Sequence, residues 1–355
     1  MPADTTHTLV VEESDAGQRV DRYLAAGLPE LSRTRIQELM EAGLVLVDGK
    51  PTKGAHRLRA RERITVHAQP RPPLRAEAES IPLSILYEDA DVIAVNKAAG
   101  MTVHAGAGNT RGTLVNALLG RGQALSKGGD AVRPGIVHRL DKETSGVILV
   151  AKNDFAHAKL AEGFQQRTVK KTYIALVEGL LKEKQGRIEL AIGRDLHRRT
   201  RMAVHRQKPG SALRGKSLAG HAREARTDWR TLAEVDGTTL VEVQLHTGRT
   251  HQIRVHFSAV KHPVVGDTLY GASPQIFPCT GIARTATRNR GLPAMPPLRR
   301  NFLHAARIGF NQPRTGEWIE LRAPLPPELH EFINKLANAA GEDPNRIDAV
   351  LAPYL

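Results

Sequence analysis

The stretch GIVHRLDKETSGVILVAK, residues 135–152, joins a charge-dense loop to an unbroken apolar run. Its second half, with Val147, Ile148, Leu149 and Val150 in succession, reads as a buried strand. Its first half sets Asp141 between Arg139 and Lys142, with His138 one step further off, in the loop that feeds the strand. Thr144 and Ser145 are able to bond local backbone and pin that loop, and Gly146 permits a tight exit. A carboxylate among cations is either a salt-bridged turn or an anion kept for chemistry. A guanidinium within several ångströms favours the ionised form. Such an anion suits a nucleophile or a charge stabiliser and makes a poor general acid.

Working outward, DVIAVNK, KTYIALVEG, GRIELAI and TTLVEVQLH repeat the strand signature, rich in Val, Ile and Leu. Residues 153–167 read as a helix capped by Asn153 or Asp154, and PPELHEFINKLANAAG reads as a closing helix. The strands lack regular βαβ alternation, which predicts an α+β fold: a mixed, largely antiparallel sheet with flanking helices and a central cleft. Upstream, residues 18–28 carry Val20, Tyr23, Leu24 and Leu28 at helical spacing. A second helix follows Ser32 as cap, with Ile36, Leu39 and Met40 inward, Arg33 and Arg35 outward, and Gly43 as stop. LVLV (44–47), the hairpin turn Asp48-Gly49 and a strand near residues 63–67 complete a small α/β module. The expected divisions are a module over 1–68, a Pro-rich linker over 69–82, a catalytic domain over 83–341 and a loose tail over 342–355.

The totals agree with two soluble domains: 355 residues, 41% hydrophobic and 25% charged. A lone Cys279 excludes an internal disulfide and a cysteine-built zinc site. No apolar run approaches the ~20 residues of a membrane span, and the N-terminus lacks a signal-like pattern, so a cytoplasmic protein is expected. The formal charge of +14 points to a polyanion, nucleic acid first. That charge is laid out in blocks. Residues 50–75 hold eight Lys/Arg and one acid, residues 194–230 hold eleven against three acids, and residues 268–316 hold seven arginines and no acid. One-sign blocks favour contact with backbone phosphates. The aromatic share of 4% argues against a single-strand binder built on stacking platforms.

Several motifs fall away on inspection. GSALRGKS (210–217) fits the phosphate-loop pattern, but no buried strand precedes it and no apolar helix follows, so ATP binding is rejected. His246, His251, His256 and His262 cluster without HExxH or a carboxylate at ligand spacing, so no metal is expected. His138, Asp141 and Ser145 crowd one turn, whereas a nucleophilic triad converges from distant loops. Three motifs remain beside Asp141. In LHTGRTHQIRVH (245–256), Gly248 makes a turn, Arg249 follows, and Thr250 is placed to cap a helix holding His251 and Arg254. KKTYIALV sets Tyr173 on a strand, and HPVVGDTLYG (262–271) is a bounded loop. Polar motifs on separate elements of one basic domain suggest a shared cleft.

Together these motifs resemble the RluA-type RNA pseudouridine synthases, with NKAAGMTVHAGAGN and LHAARIGF matching weaker family motifs. The N-terminal module is similar to an S4 RNA-binding domain, and the likeness covers most of residues 18–330. Within the family it is most similar to the branch acting on large-subunit ribosomal RNA. The resemblance implies uridine-to-pseudouridine isomerisation with no cofactor, since no electrons or groups enter or leave. It implies Asp141 as nucleophile, Tyr173 against the base, Arg254 as the aspartate's partner, Leu303 as an apolar wall and Arg139 as the residue filling the space of a flipped base. His138, Arg249 and His251 are expected at the substrate, and Arg33, Arg35 and Lys50 at RNA. The expected partner is 23S ribosomal RNA or a large-subunit precursor, bound by a monomer with no membrane contact. Alternatives are tRNA pseudouridylation, an N-glycosylase and a non-catalytic assembly factor. The family's Lys-Pro-x-Gly reads Lys97-Ala98-Ala99-Gly100 here, and Ala105 replaces another proline; both departures are expected to lie away from the Asp141 loop. Residues 206–226 and 272–300 are longer than the family pattern.

Overall fold

Two patterns of burial build the two compact units into which the chain divides, Met1–Pro73 and Leu74–Leu355. The computed structural model describes residues 5–28, 31, 33–68, 76–106, 110–127, 133–195, 198, 201–205, 222–276, 295 and 297–355, with backbone alone at 33 and 34.

In the first unit, β1 (Thr5–Val10), β4 (Arg63–Ala68), β2 (Val45–Val47) and β3 (Lys50–Pro51) form an antiparallel sheet in that order. Helices α1 (Val20–Gly27) and α2 (Arg33–Glu41) share its core through Val20, Leu24, Ile36, Leu39, Val45 and Ile64. Asp48 and Gly49 both have positive φ, 47° and 77°, the requirement of a tight hairpin turn between β2 and β3. Lys50 is exposed beside that turn, whereas Arg35 is half-buried and pairs with Glu38 at 3.2 Å. Ser32, expected as the cap of α2, and the side chain of Arg33 lie outside the described residues.

The second unit is organised by strands whose alternate residues feed opposite cores. Its strands are β5 (Ser84–Glu88), β6 (Val92–Lys97), β7 (Ser145–Ala151), β8 (Lys170–Glu178), β9 (Gln185–Glu189), β12 (Arg226–Val235), β13 (Thr238–Leu245), β14 (Leu303–Asn311) and β15 (Trp318–Arg322). They form a nine-stranded sheet in the order β5-β6-β7-β14-β8-β13-β12-β9, with β15 also paired to β14. All pairs are antiparallel except β7 with β14, so the mixed, largely antiparallel α+β expectation holds. Along β8, Tyr173, Ala175 and Val177 enter one core with α3 (Leu114–Gly120) and α5 (Gln252–Ala259). Ile174 and Leu176 enter another with α6 (Pro327–Ala340) and α7 (Pro344–Leu351). Helix α4 (Asp154–Gln165), its cap Asn153 accepting from Ala156 N, packs Ala156 and Leu160 over β6 and β7.

Three expectations are corrected. GRIELAI is not one strand: β9 edges the main sheet, while β10 (Ala191–Arg194) turns away to pair with β11 (Met202–His205). Residues 342–355 are not a loose tail, because Ile347, Leu351 and Tyr354 recur at helical spacing and all are buried in the α6 core. Asp343 caps α7 by accepting from Asn345 N. The described end of the expected linker is docked on α3: Glu79 N donates to Asn116 O at 2.9 Å, and Asn116 Nδ2 donates to Glu77 O at 2.6 Å. A Cβ on Gly120 would lie 2.0 Å from Glu79 O, so only glycine admits that approach.

Candidate active site

The loop before β7 delivers Asp141 to a cleft of about 670 Å³. The same cleft is lined by Tyr173 from β8, Arg249 and His251 from the turn after β13, Arg254 from α5 and Leu303 from β14. Asp141 Oδ2 accepts from Arg254 Nη1 at 3.1 Å, across 113 residues of chain. The other side of that guanidinium meets a second carboxylate: Nε is 2.5 Å from Asp267 Oδ2 and Nη2 is 2.9 Å from Oδ1. Asp267 is 3% exposed and Arg254 8%. A bidentate buried acid thus fixes one edge of the guanidinium and leaves Nη1 to donate to Asp141. Burial alone would lower the Arg254 pKa, but hydrogen bonds and charge from Asp267, then Asp141, carry it upward. The cation is permanent.

Helix α5 starts differently from expectation. Thr250 does not cap it; His251 occupies the cap position in a left-handed conformation (φ 56°) with no side-chain cap. The turn is tied instead by Gln252, whose Oε1 accepts from Thr247 Oγ1 at 2.7 Å and from Arg249 N at 3.0 Å. The unusual φ aims the imidazole into the cleft. There Nδ1 lies 2.7 Å from the Tyr270 hydroxyl and Nε2 lies 3.9 Å from Asp141 Oδ1. That hydroxyl also accepts from Met202 N at 2.9 Å, so His251 and the chain at Met202 meet at one phenol oxygen. Desolvation lowers the His251 pKa against the pull of Asp141, favouring the neutral ring. The Arg254 guanidinium lies 4.9 Å over the Tyr270 ring, closing the cluster.

Behind Asp141 the loop is anchored at backbone level. Lys97, fully buried, donates to Ala98 O, Met101 O and Lys142 O at 2.7, 2.9 and 3.2 Å, and Gly100 N donates to Lys142 O at 2.9 Å. The Lys97–Ala–Ala–Gly turn therefore touches the residue after Asp141, correcting the expectation that it lies away from that loop. Burial lowers the Lys97 pKa to about 7, while three carbonyl acceptors use every N–H of the charged form and oppose that shift. Arg300 donates to Glu143 O and Ser145 Oγ, each at 3.0 Å, and Ser145 Oγ lies 2.9 Å from His304 Nδ1. Thr144 does not pin the loop through its hydroxyl, which is buried and has no partner among the described residues.

The remaining expected residues divide by environment. Tyr173 is 7% exposed, and burial, then the Asp141 charge, raises its pKa, so it meets the cleft as a neutral phenol. Leu303 is buried in the cleft wall. Arg139 is exposed at the cleft. Arg249 Nε donates to Glu224 O at 3.1 Å. His138 lines the cleft, but its Nε2 accepts Leu149 N at 2.9 Å and its ring stacks on Phe164 at 4.6 Å. Burial pushes the His138 pKa down to about 3, so the ring is neutral and braces the loop against β7. The four clustered histidines go to separate partners: His246 to Asp228, His251 to Tyr270, His256 to Thr227 and Leu190 O, His262 to Glu178 O. The phosphate-loop pattern at 210–217 and Cys279 lie outside the described residues. Sequence reasoning missed Lys171, which lines the cleft, and Asp267, Tyr270 and Lys97, which stand behind it and hold Arg254, His251 and the Asp141 loop. Asp267 carried a signal, as the last acid before the arginine-only block that begins at 268.

The cleft lies wholly in the larger unit, and comparison with known proteins gives the class: an RNA-modifying isomerase. An RNA pseudouridylate synthase family model matches residues 91–259, and an S4 domain model matches residues 18–64. The chain belongs to the RluA-type RNA pseudouridine synthases. It is 38% identical over 328 residues to the RNA pseudouridine synthase YlyB of Bacillus subtilis, covering 92% of this chain and 97% of that one. It is 39% identical over 336 residues to the ribosomal large subunit pseudouridine synthase D of Nitrosomonas europaea, covering 94% and 89%. Among solved structures it is similar to human RNA pseudouridylate synthase domain containing 1, at 27% identity and TM-score 0.51 over 75% of this chain and 98% of that one. Among the described residues no helix is long and apolar enough to cross a membrane.

Proposed function

We propose that this enzyme isomerises specific uridines of 23S ribosomal RNA, with Asp141 as the nucleophile. The observation that carries the reading is one anion in an open cleft, 3.1 Å from a guanidinium whose other edge is locked by Asp267. An ionised oxygen beside C1′ promotes cleavage of the N1–C1′ bond, by direct attack or by stabilising the charge that develops there. The freed uracil turns, C5 bonds to C1′ as C1′ is released from Asp141, and the proton lost from C5 is matched by one gained at N1, so atoms and electrons balance without an added reagent. Arg254 holds Asp141 in place. Tyr173, neutral and beside the aspartate, packs on the base and relays the proton from C5. Leu303 forms the apolar floor beneath the uracil. Extrusion of the nucleotide costs a few kcal/mol, and Arg139 at the rim enters the vacated stack. His251 and Arg249 line the ribose and phosphate side, and His138 sets the loop's shape.

The ribosomal target is supported by the likeness to the large-subunit synthase D enzymes over nearly the whole chain and by the one-sign basic blocks. Arg33, Arg35 and Lys50 of the S4 module contribute phosphate contacts, and the enzyme works as a cytoplasmic monomer. Pseudouridine-selective chemical mapping of total RNA from cells lacking the protein tests the target. One or more 23S sites are expected to revert to uridine with tRNA unchanged. Loss confined to tRNA sites contradicts the assignment.

A further inference from the structure

A second groove of about 350 Å³ adjoins the Asp141 cleft, and the two share Arg167, Val169, Lys171, Leu245 and His246 in their walls. Its floor is a sheet face on which Lys170, Gln244, Glu320 and Arg322 are exposed while Thr172 and Gly309 are buried between them. Arg322, Arg307, Thr172 and Gln244 stand in one cross-strand row over β15, β14, β8 and β13, and Glu320, Gly309 and Lys170 stand in the next. Arg167, Lys170, Lys171 and Arg307 line it against one carboxylate, Glu320. Trp318 is 43% exposed, an unusual position for so large an apolar side chain. Its ring lies on Gly309, where a Cβ would sit 2.3 Å from Cζ2, and Lys170 Nζ is 5.4 Å from its centroid. A low overall aromatic content has therefore not prevented one aromatic ring from being displayed beside a cationic channel.

We infer that this groove carries the single-stranded RNA flanking the target uridine, with phosphates along Arg167, Lys170, Lys171 and Arg307 and one base stacked on Trp318. The inference rests on reading the Asp141 cleft as the uridine site, because the shared wall is what makes the groove a continuation of the same strand. Cations track the backbone while an aromatic face accepts any base, the combination that binds single strands without reading sequence. Gly309 is required because any side chain there would displace the ring from its seat.

The test uses the full-length protein and oligouridylates of about 12 and about 3 nucleotides, lengths that do and do not outrun the cleft. The longer strand is expected to quench tryptophan emission, and Trp318→Ala to abolish that quench. Affinity for the longer strand is expected to fall roughly 5- to 100-fold in Trp318→Ala and to recover in Trp318→Phe, the range of one lost base–aromatic stack. Lys170→Ala, a separate surface change, is expected to reduce the salt slope of binding by about one phosphate contact. The trinucleotide is expected to bind all variants alike. Unchanged quenching, affinity and salt slope for the longer strand would overturn the groove, leaving the face free for some other acidic partner. Failure of the Asp141 reading is separable: it would appear as surviving turnover in Asp141→Asn, with the Trp318 and Lys170 effects intact.

Discussion

Asp141 is paired with Arg254, and the loop that carries it is braced by Lys97, Arg300 and two histidines, which are where single residues are most exposed to pH. His304 and His138 are both kept neutral by burial, with pKa values lowered to about 4 and about 3. His304 bridges Ser145 and Ala323 O behind the loop, and His138 accepts from β7. In the unfolded chain both titrate near 6.5, so between that value and the folded values the unfolded state binds more protons. Their contribution to stability is complete above pH 6.5 and is lost as pH falls toward 4. The expected slope is about 1.4 kcal/mol per pH unit for each histidine. Denaturation midpoints measured from pH 7 to 5 are expected to fall steeply for the native enzyme and less steeply for His304→Gln. Parallel profiles would remove the histidines from the account. No sequence pattern disclosed this, because a buried neutral histidine and a substrate-binding one look alike until the partner atoms are known.

Elements were legible where burial is uniform. β6, β7, β8 and β13 are Val/Ile/Leu runs that lie between two cores, so their composition alone marked them. Asn153 and the Asp48-Gly49 pair marked a helix start and a hairpin because their local chemistry is decisive. β12 and β15 escaped notice: their half-exposed faces carry Arg, Asp, Glu and Trp, which dilute the strand signal. α7 escaped because its apolar stripe is only Ile347, Leu351 and Tyr354 in a polar, Pro-bounded segment. Its packing is substantial, and the Tyr354 hydroxyl also bonds the buried Glu242 carboxylate, which pairs with Arg230 at 2.8 Å. Each such apolar side chain contributes roughly 1.5–3 kcal/mol when fully buried. Removal of residues 342–355 is therefore expected to lower the melting temperature of the catalytic unit markedly, by several kcal/mol of stability. An unaltered melt would restore the loose-tail reading.

At the scale of the molecule, the cleft could be anticipated but not assembled from sequence. Asp141, Tyr173 and Arg254 were each singled out, yet the locking acid Asp267 and the loop anchor Lys97 emerge only when distant segments meet. The division of labour between the two units follows from their contents: the S4 module has its own core, and the larger unit holds the whole cleft. Deleting residues 1–68 is expected to weaken ribosomal RNA binding and flatten its dependence on salt, with the catalytic unit still folded by circular dichroism. An unchanged salt slope would show that the module does not contact phosphates. The central claim is narrower and rests on one carboxylate. Tritium release from RNA labelled at uridine C5 measures the proton lost when the new glycosidic bond forms. Asp141→Asn keeps the shape and a hydrogen-bonding group but removes the anion, so release is expected to fall to background while RNA affinity is retained; sustained release from that variant would contradict the account.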